Sequence, residues 1–143
     1  MVKLQKLILR NFKSFKKADI PISNGFTAIV GSNGSGKTNI LDALLFVLGT
    51  SSMKMLRVSR IDELVNNSAV ENYAKVELSI KEGEKNYLVQ RMIDKKGKSI
   101  YRLDGKRKTR NEIVSLLLEL GIKSDGHNTV SYTHLTLPTK RIV

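Results

Sequence analysis

The spacing of apolar residues changes period several times along the chain. Residues 2–9 alternate through Val2, Leu4, Leu7 and Leu9 with one slip at Lys6, which predicts a strand. Ala18 to Ile22 predicts a second short strand, ended by Ser23-Asn24-Gly25. Phe26-Thr27-Ala28-Ile29-Val30 is a compact run of strand formers suited to burial on both faces, and a glycine-rich segment follows at once. From Lys37 to Leu48 the period becomes helical: Ile40, Leu41, Leu44, Leu45 and Leu48 fall on one face, and Gly49 marks the end.

Alternation returns in the second half. Val76, Leu78 and Ile80 predict a strand, Lys81–Asn86 a turn, and Tyr87–Ile93 and Ser99–Leu103 two further strands joined through Asp94–Lys98. Asp104-Gly105 is a two-residue hairpin signal. Thr109-Arg110-Asn111-Glu112 is a capping box, in which each of Thr109 and Glu112 accepts from the other's backbone N–H. Ile113, Leu116, Leu117 and Leu120 then mark a helix that Gly121 stops. No repeat or low-complexity linker interrupts the pattern.

Chemistry enters at the junction of the Phe26–Val30 run and the following helix. Gly31-Ser32-Asn33-Gly34-Ser35-Gly36-Lys37-Thr38 fits the phosphate-binding pattern G-x-x-x-x-G-K-[ST]. Glycines allow the tight turn through which successive N–H groups converge on phosphate oxygens, and the helix adds the positive end of its dipole. Lys37 supplies a mobile cation for the β- and γ-phosphates, and the Thr38 hydroxyl is a ligand for Mg²⁺. Asn33, Ser35 and Asn39 are expected to fix the loop or touch phosphate. A chance match in a chain of this size is on the order of 1% at average glycine usage, and the flanking strand and helix lower it further.

Composition adds partners and removes some chemistries. The chain has 143 residues, 41% of them hydrophobic, which suits one folded domain with a modest core. It contains no cysteine and only His127 and His134, so disulfides and thiolate or histidine metal clusters are not expected. No apolar run reaches membrane-spanning length and the first residues lack a signal-peptide core, which points to a cytoplasmic protein. Lys and Arg number 25 against 13 acids, a formal charge of +12 that favours polyanions.

A phosphate loop does not choose a reaction. Hydrolysis requires a carboxylate at the end of an apolar strand to hold Mg²⁺ and a second carboxylate to orient water. Met92-Ile93-Asp94 fails because Gln90 and Arg91 break the run, and Leu116-Leu117-Leu118-Glu119 belongs to the capped helix. A small self-contained phosphotransferase would need such a carboxylate and an acceptor site. A basic DNA-binding module would leave the phosphate loop unexplained.

Several linked motifs carry a resemblance. They are Leu9-Arg10-Asn11-Phe12-Lys13-Ser14-Phe15, Gly25–Gly31 leading into the phosphate loop, Asn39-Ile40-Leu41-Asp42-Ala43, Phe46-Val47-Leu48-Gly49, Leu56–Val65 and Tyr101-Arg102-Leu103-Asp104-Gly105. In this order they resemble the N-terminal ATPase-head lobe of prokaryotic and archaeal SMC (structural maintenance of chromosomes) proteins, over residues 1–130. The resemblance implies an α/β fold of the P-loop NTPase, ABC-type class: a mixed or antiparallel sheet with a P-loop helix and a second, C-terminal helix. It implies ATP and Mg²⁺ as ligands, chromosome condensation and segregation as the process, and a nucleoid-associated location. The implied partners are the C-terminal head lobe reached through a coiled coil, a second head in an ATP sandwich, DNA, and kleisin-type accessory subunits. Hydrolysis would require that second lobe, which carries the catalytic carboxylates, so this chain alone would be inactive.

By the same resemblance Lys13 and Ser14 lie beside the nucleotide, Ile61 and Asp62 near the base, and Arg57 is linked to DNA-stimulated hydrolysis. Phe12 and Phe15 are read as core. Lys106, Arg107, Lys108 and Arg110 form a basic run suited either to DNA phosphates or to a solvated helix entrance. SMC-like double-strand-break repair and RecF-type ATPases share the phosphate loop, but Phe46–Gly49 and Arg57–Val65 favour the chromosome type. After Val130 the resemblance stops: the family continues into a glutamine loop, whereas Ser131–Val143 holds no glutamine. That segment is expected to be a non-native or disordered tail.

Overall fold

The computed structural model describes residues 2–22, 34–66 and 71–122, with the backbone alone for 34–39. Six strands form one antiparallel sheet: β1 (Val2–Phe12), β2 (Phe15–Pro21), β3 (Tyr73–Glu82), β4 (Lys85–Asp94), β5 (Ser99–Leu103) and β6 (Lys106–Lys108). Their order is β2-β1-β3-β4-β5-β6. Helices α1 (Gly34–Val47) and α2 (Arg110–Glu119) accompany the sheet, with a 3-10 turn at Ile61–Leu64. The expected strand at Phe26–Val30, both histidines and the segment after Ile122 lie outside the described residues.

Three hairpins have two-residue connections, because Phe12 pairs with Phe15, Glu82 with Lys85 and Leu103 with Lys106. At Asp104-Gly105 both residues have positive φ, 51° and 86°, the twist that suits a tight hairpin. The slip in alternation at Lys6 is a register shift in β1: Leu4 pairs with Ile80 and Lys6 with Ser79, leaving Gln5 extra. The bulge restores Leu7 and Leu9 to the inner face beside Leu4, and all three are buried.

The strands run longer than alternation alone predicted. β1 reaches Phe12 and β2 begins at Phe15, since cross-strand pairing continues past the last alternating residue. The basic run divides between two elements: Lys106–Lys108 is a strand paired with β5, and Arg110 opens α2. Phe12 is fully buried, its ring 5.2 Å from that of Phe46, and Phe15 is partly buried against the core. Asp94 ends β4 as an acceptor for the backbone N–H groups of Lys96 and Lys98, bonds that hold its carboxyl below the usual range.

The apolar face of α1 also needs correction. Ala43, Phe46 and Val47 are as buried as Leu44 and Leu48, while Leu41 and Leu45 are only partly covered. The helix is enclosed on most sides, so an amphipathic stripe describes it poorly. Both helices end in the same way. Gly49 and Gly121, at φ 111° and 85°, donate to Phe46 and Leu118, and the next residues, Thr50 and Ile122, donate to Leu45 and Leu117.

The C-terminal end of α1 is gripped by two arginines. Arg91 of β4, only 5% exposed, donates from Nη1 to the carbonyls of Phe46 and Thr50, both at 2.8 Å. Its guanidinium carbon lies 4.1 Å from the Phe46 ring centre and 5.0 Å from that of Tyr101. Burial pushes its pKa down to about 10, so it stays charged at neutral pH. Arg110 donates to the Gly49 carbonyl at 2.7 Å. Cations at this end match the negative pole of the helix dipole.

Two stability predictions follow from these contacts. Arg91→Met, close in length but without donors, should destabilise the chain by about 2–4 kcal/mol in urea melts, through lost hydrogen bonds to buried carbonyls. In the α2 capping box, the Thr109 N–H bonded to Glu112 lowers the carboxyl pKa from the ordinary 4.5. A lowered acid stabilises fully above its unfolded value and loses that contribution as pH falls through the folded one. The stability gap between the parent chain and Glu112→Ala should therefore be complete above about pH 5 and close progressively below pH 4.

Candidate functional site: a two-cation cluster on the phosphate-motif helix

Helix α1 starts inside the phosphate motif, so Gly34–Thr38 form its first turn and a half. No acid stands in that first turn, which suits the positive end of the helix dipole. Gly31, Ser32 and Asn33 lie outside the described residues, as do the side chains of Ser35, Lys37, Thr38 and Asn39. The described part fits an anion: a 14-residue helix begins where the motif requires one.

One turn further on stands Asp42, four residues and about 6 Å along the axis from Thr38. Its side chain is only 4% exposed. Two cations from distant parts of the chain meet on it. The Lys13 ammonium donates to Oδ2 at 2.7 Å and to the Leu56 carbonyl at 2.9 Å. Arg57 donates from Nη2 to Oδ2 at 2.9 Å and from Nε to Oδ2 at 3.2 Å. The hydrogen bond to Asp42 raises the Arg57 pKa.

Local backbone geometry delivers each cation. Lys13 sits in the two-residue β1–β2 connection with φ 51°, and Arg57 in the loop after α1 with φ 58°. A left-handed non-glycine residue costs on the order of 1 kcal/mol or more and persists only where its surroundings fix it. Here they do. The Lys13 N–H donates to the Leu64 carbonyl, the Lys13 carbonyl accepts from Asn66 Nδ2, and the Asn66 N–H donates to the Asn11 carbonyl. Phe12 and Val65 form a bridge beside them. The hairpin carrying Lys13 is thus stitched to the segment that follows Arg57.

The other expected residues divide. Ser14 is exposed in the same connection as Lys13. Ile61 and Asp62 open the 3-10 turn; Ile61 packs against the core, and Asp62 pairs with Arg60 at 3.2 Å. The structure brings Lys13 and Arg57 together but leaves Ile61 and Asp62 outside the Asp42 cluster. Asp42 itself is the residue that sequence reasoning passed over. Its signal was an acid between Leu41 and Ala43 in a helix otherwise apolar at those positions. Among the described residues no group of three His, Cys, Asp or Glu side chains gathers to hold a metal, and no helix is long and apolar enough to cross a membrane.

A helix emerging from a G-x-x-x-x-G-K-T motif against a β-sheet defines the class: an α/β protein of the P-loop, ABC-type ATPase-head group. The RecF/RecN/SMC N terminal domain matches residues 3–139, and the chain belongs to that family. It is an N-terminal SMC head segment. The chromosome partition protein Smc of Pyrococcus furiosus is 42% identical over 146 residues, covering 93% of this chain and 12% of that protein. The chain thus spans about one-eighth of its curated relatives.

The solved Smc head domain of Pyrococcus furiosus, with an extended coiled coil and bound to the C-terminal domain of ScpA, superposes with TM-score 0.78. The two are 43% identical over 88% of this chain and 35% of that one. A structure from work on ATP-driven dimerization and DNA-stimulated activation of SMC ATPases gives 0.76 at 43% identity, over 87% of this chain and 83% of that one. A RecF structure at 20% identity and TM-score 0.59 shares the fold alone, so the chromosome reading stands over the RecF-type one.

The cluster makes a stability prediction with a built-in contrast. Asp42→Ala strands two cations, one of them largely buried, and should cost about 3–5 kcal/mol. Arg57→Gln removes a half-exposed partner and should cost about 1 kcal/mol or less. Chemical denaturation of both variants checks the ranking, and a similar loss in each would show that Asp42 is not the hub.

Proposed function

We propose that this chain is the ATP–Mg²⁺-binding part of a chromosome-organising ATPase head. The observation that carries the proposal is α1: its acid-free N-terminal turn is made by the phosphate motif, and its Asp42 gathers Lys13 and Arg57 one turn away. Gly31–Lys37 would hold the phosphates through backbone N–H groups and the Lys37 ammonium, with Asn39 beside them. Thr38 would give its hydroxyl to Mg²⁺, which when bound screens charge on the phosphate oxygens. Ser14, Ile61 and Asp62 are assigned to the rim of the nucleotide site. Arg57 keeps its assignment as the residue linking DNA to hydrolysis, and Asp42 fixes where its guanidinium starts from.

In this reading ATP hydrolysis belongs to an assembly. The water-orienting groups would come from a C-terminal lobe and the capping contacts from a second head, as expected of a segment one-eighth the length of its relatives. ATP-driven dimerization and a bound ScpA domain, described for the similar SMC proteins, support assigning a second head and a kleisin-type subunit as partners. DNA and a nucleoid-associated cytoplasmic location complete the reading.

Calorimetry provides the first test. Lys37→Ala should weaken ATP binding by about 10–100-fold, the worth of one charge-assisted contact, with little change in melting temperature. Thr38→Ala should act chiefly on the Mg²⁺ dependence. Unchanged ATP affinity in Lys37→Ala would overturn the site assignment. Turnover gives the second: the chain alone should bind ATP without measurable hydrolysis, and robust activity abolished by Lys37→Ala would mean that a complete active site lies within these 143 residues.

A further inference from the structure

Alternation along three neighbouring strands leaves an apolar cluster on the face turned away from the core. Ala74 and Val76 of β3, Ile93 of β4 and Tyr101 of β5 are buried on the inner face, so Tyr73, Met92 and Ile100 lie on the outer one. Register brings the three together: Met92 stands opposite Ile100 on one side and Lys75 on the other, while Tyr73 stands opposite Asp94. Each of the three is half-buried. With Asn72, Asp94 and Lys98 they line a groove of about 360 Å³.

The rim of this groove is cationic. Lys98 lines it, Lys75 flanks Met92, and Arg102 follows Ile100 by two residues on the same face. Arg10, opposite both Lys17 and Lys75, continues the cations in a row across β1 and β2. The acids nearby are engaged within the chain. Asp94 accepts from the N–H groups of Lys96 and Lys98 at 2.9 Å, Glu71 from Asn11 at 2.7 Å, and Glu77 from Gln90 at 2.7 Å. Among the described residues, Lys75, Lys98 and Arg102 form no ion pair. We infer that this groove docks an acidic segment of a partner protein, which sets one or two large apolar side chains between Tyr73, Met92 and Ile100.

Two demands meet here, an apolar floor to be filled and a positive rim to be matched, and a protein segment answers both. Tyrosine, methionine and arginine are the types that protein interfaces enrich, and a concave apolar centre inside a polar rim is their usual anatomy. Neighbouring strands lie about 4.8 Å apart, so the floor across β3, β4 and β5 is about 10 Å wide, enough for one or two side chains. A phosphate backbone would match the rim but leave the floor unfilled. A membrane surface is entered by protruding apolar side chains, whereas these three are recessed. The groove goes beyond the proposed function and does not rest on the nucleotide site.

The test uses the full 143-residue chain and two fluorescent peptides, Glu-Asp-Glu-Leu-Leu-Glu-Asp-Glu and the same peptide with serines for leucines. The leucine peptide should bind about 10-fold more tightly, the worth of one filled anchor. Met92→Gln with Ile100→Thr keeps side-chain length and β-branching, so the strands should hold, and it should erase that preference. Ile100→Thr alone should reduce it. Lys75→Gln, Lys98→Gln and Arg102→Gln together should weaken both peptides while the preference remains, and Lys37→Ala should change neither. With ¹³C-methyl methionine, the Met92 signal should move on titration while those of Met53 and Met55, in the loop after α1, stay in place. Equal affinity for the two peptides, no binding of the leucine peptide, or a Met53 signal that moves as far as that of Met92 would overturn the inference. So would a DNA duplex whose binding the Met92→Gln, Ile100→Thr variant weakens as much as that of the leucine peptide, because the floor would then serve nucleic acid.

Discussion

The fold depends on holding one helix by its C-terminal end while its N-terminal turn keeps its positive pole. α1 begins in the phosphate motif with no acid in its first turn, which suits an anion at that end. At the other end Arg91 and Arg110 hold the last carbonyls, and the carbonyls of Phe46, Gly49 and Thr50 receive side-chain donors from β4 and α2. Burying an arginine is costly, and Arg91 survives it because two backbone acceptors and two aromatic rings replace water. The helix is thereby tied to the middle of the sheet, and a sheet of adjacent hairpins fixes the frame in which the phosphate motif stands.

Asp42 couples that frame to the loops. It lies on the helix, yet its partners come from the first hairpin and from the loop after the helix, and both partners have left-handed backbones. Two strained cations on one buried carboxylate leave a formal charge of +1 close to the place where phosphates are assigned. The arrangement is costly in backbone energy and persists because Leu64 and Asn66 over-determine the Lys13 loop with backbone and amide hydrogen bonds.

Periodicity and turn chemistry made most of the architecture readable before the coordinates. The slip at Lys6 became a bulge, Asp104-Gly105 a hairpin, Thr109 and Glu112 a capping box, and Gly49 and Gly121 helix ends. Each depends on neighbours a few residues apart, which a linear sequence displays. Lys106–Lys108 was harder, because three basic residues have no apolar alternation and become a strand only through pairing with β5. The face of α1 was misjudged for a related reason: its enclosure depends on what surrounds it, and the helix's own spacing carries no record of that.

By itself the sequence determined the class of chemistry, because a phosphate cradle is built from residues adjacent in the chain: glycines, a lysine and a hydroxyl ahead of a helix. It also determined the family, through several short motifs in a set order. Only the tertiary structure decided that Lys13 and Arg57 share Asp42, that Arg91 is a buried clamp, and that Arg10, Lys17 and Lys75 stand in one row. These pairings join residues 7 to 65 positions apart, across strands whose register is set by the packing of the whole sheet. Electrostatic contacts of that kind have no local signature, since a charge reads the same in sequence whether it faces water, an acid or another charge.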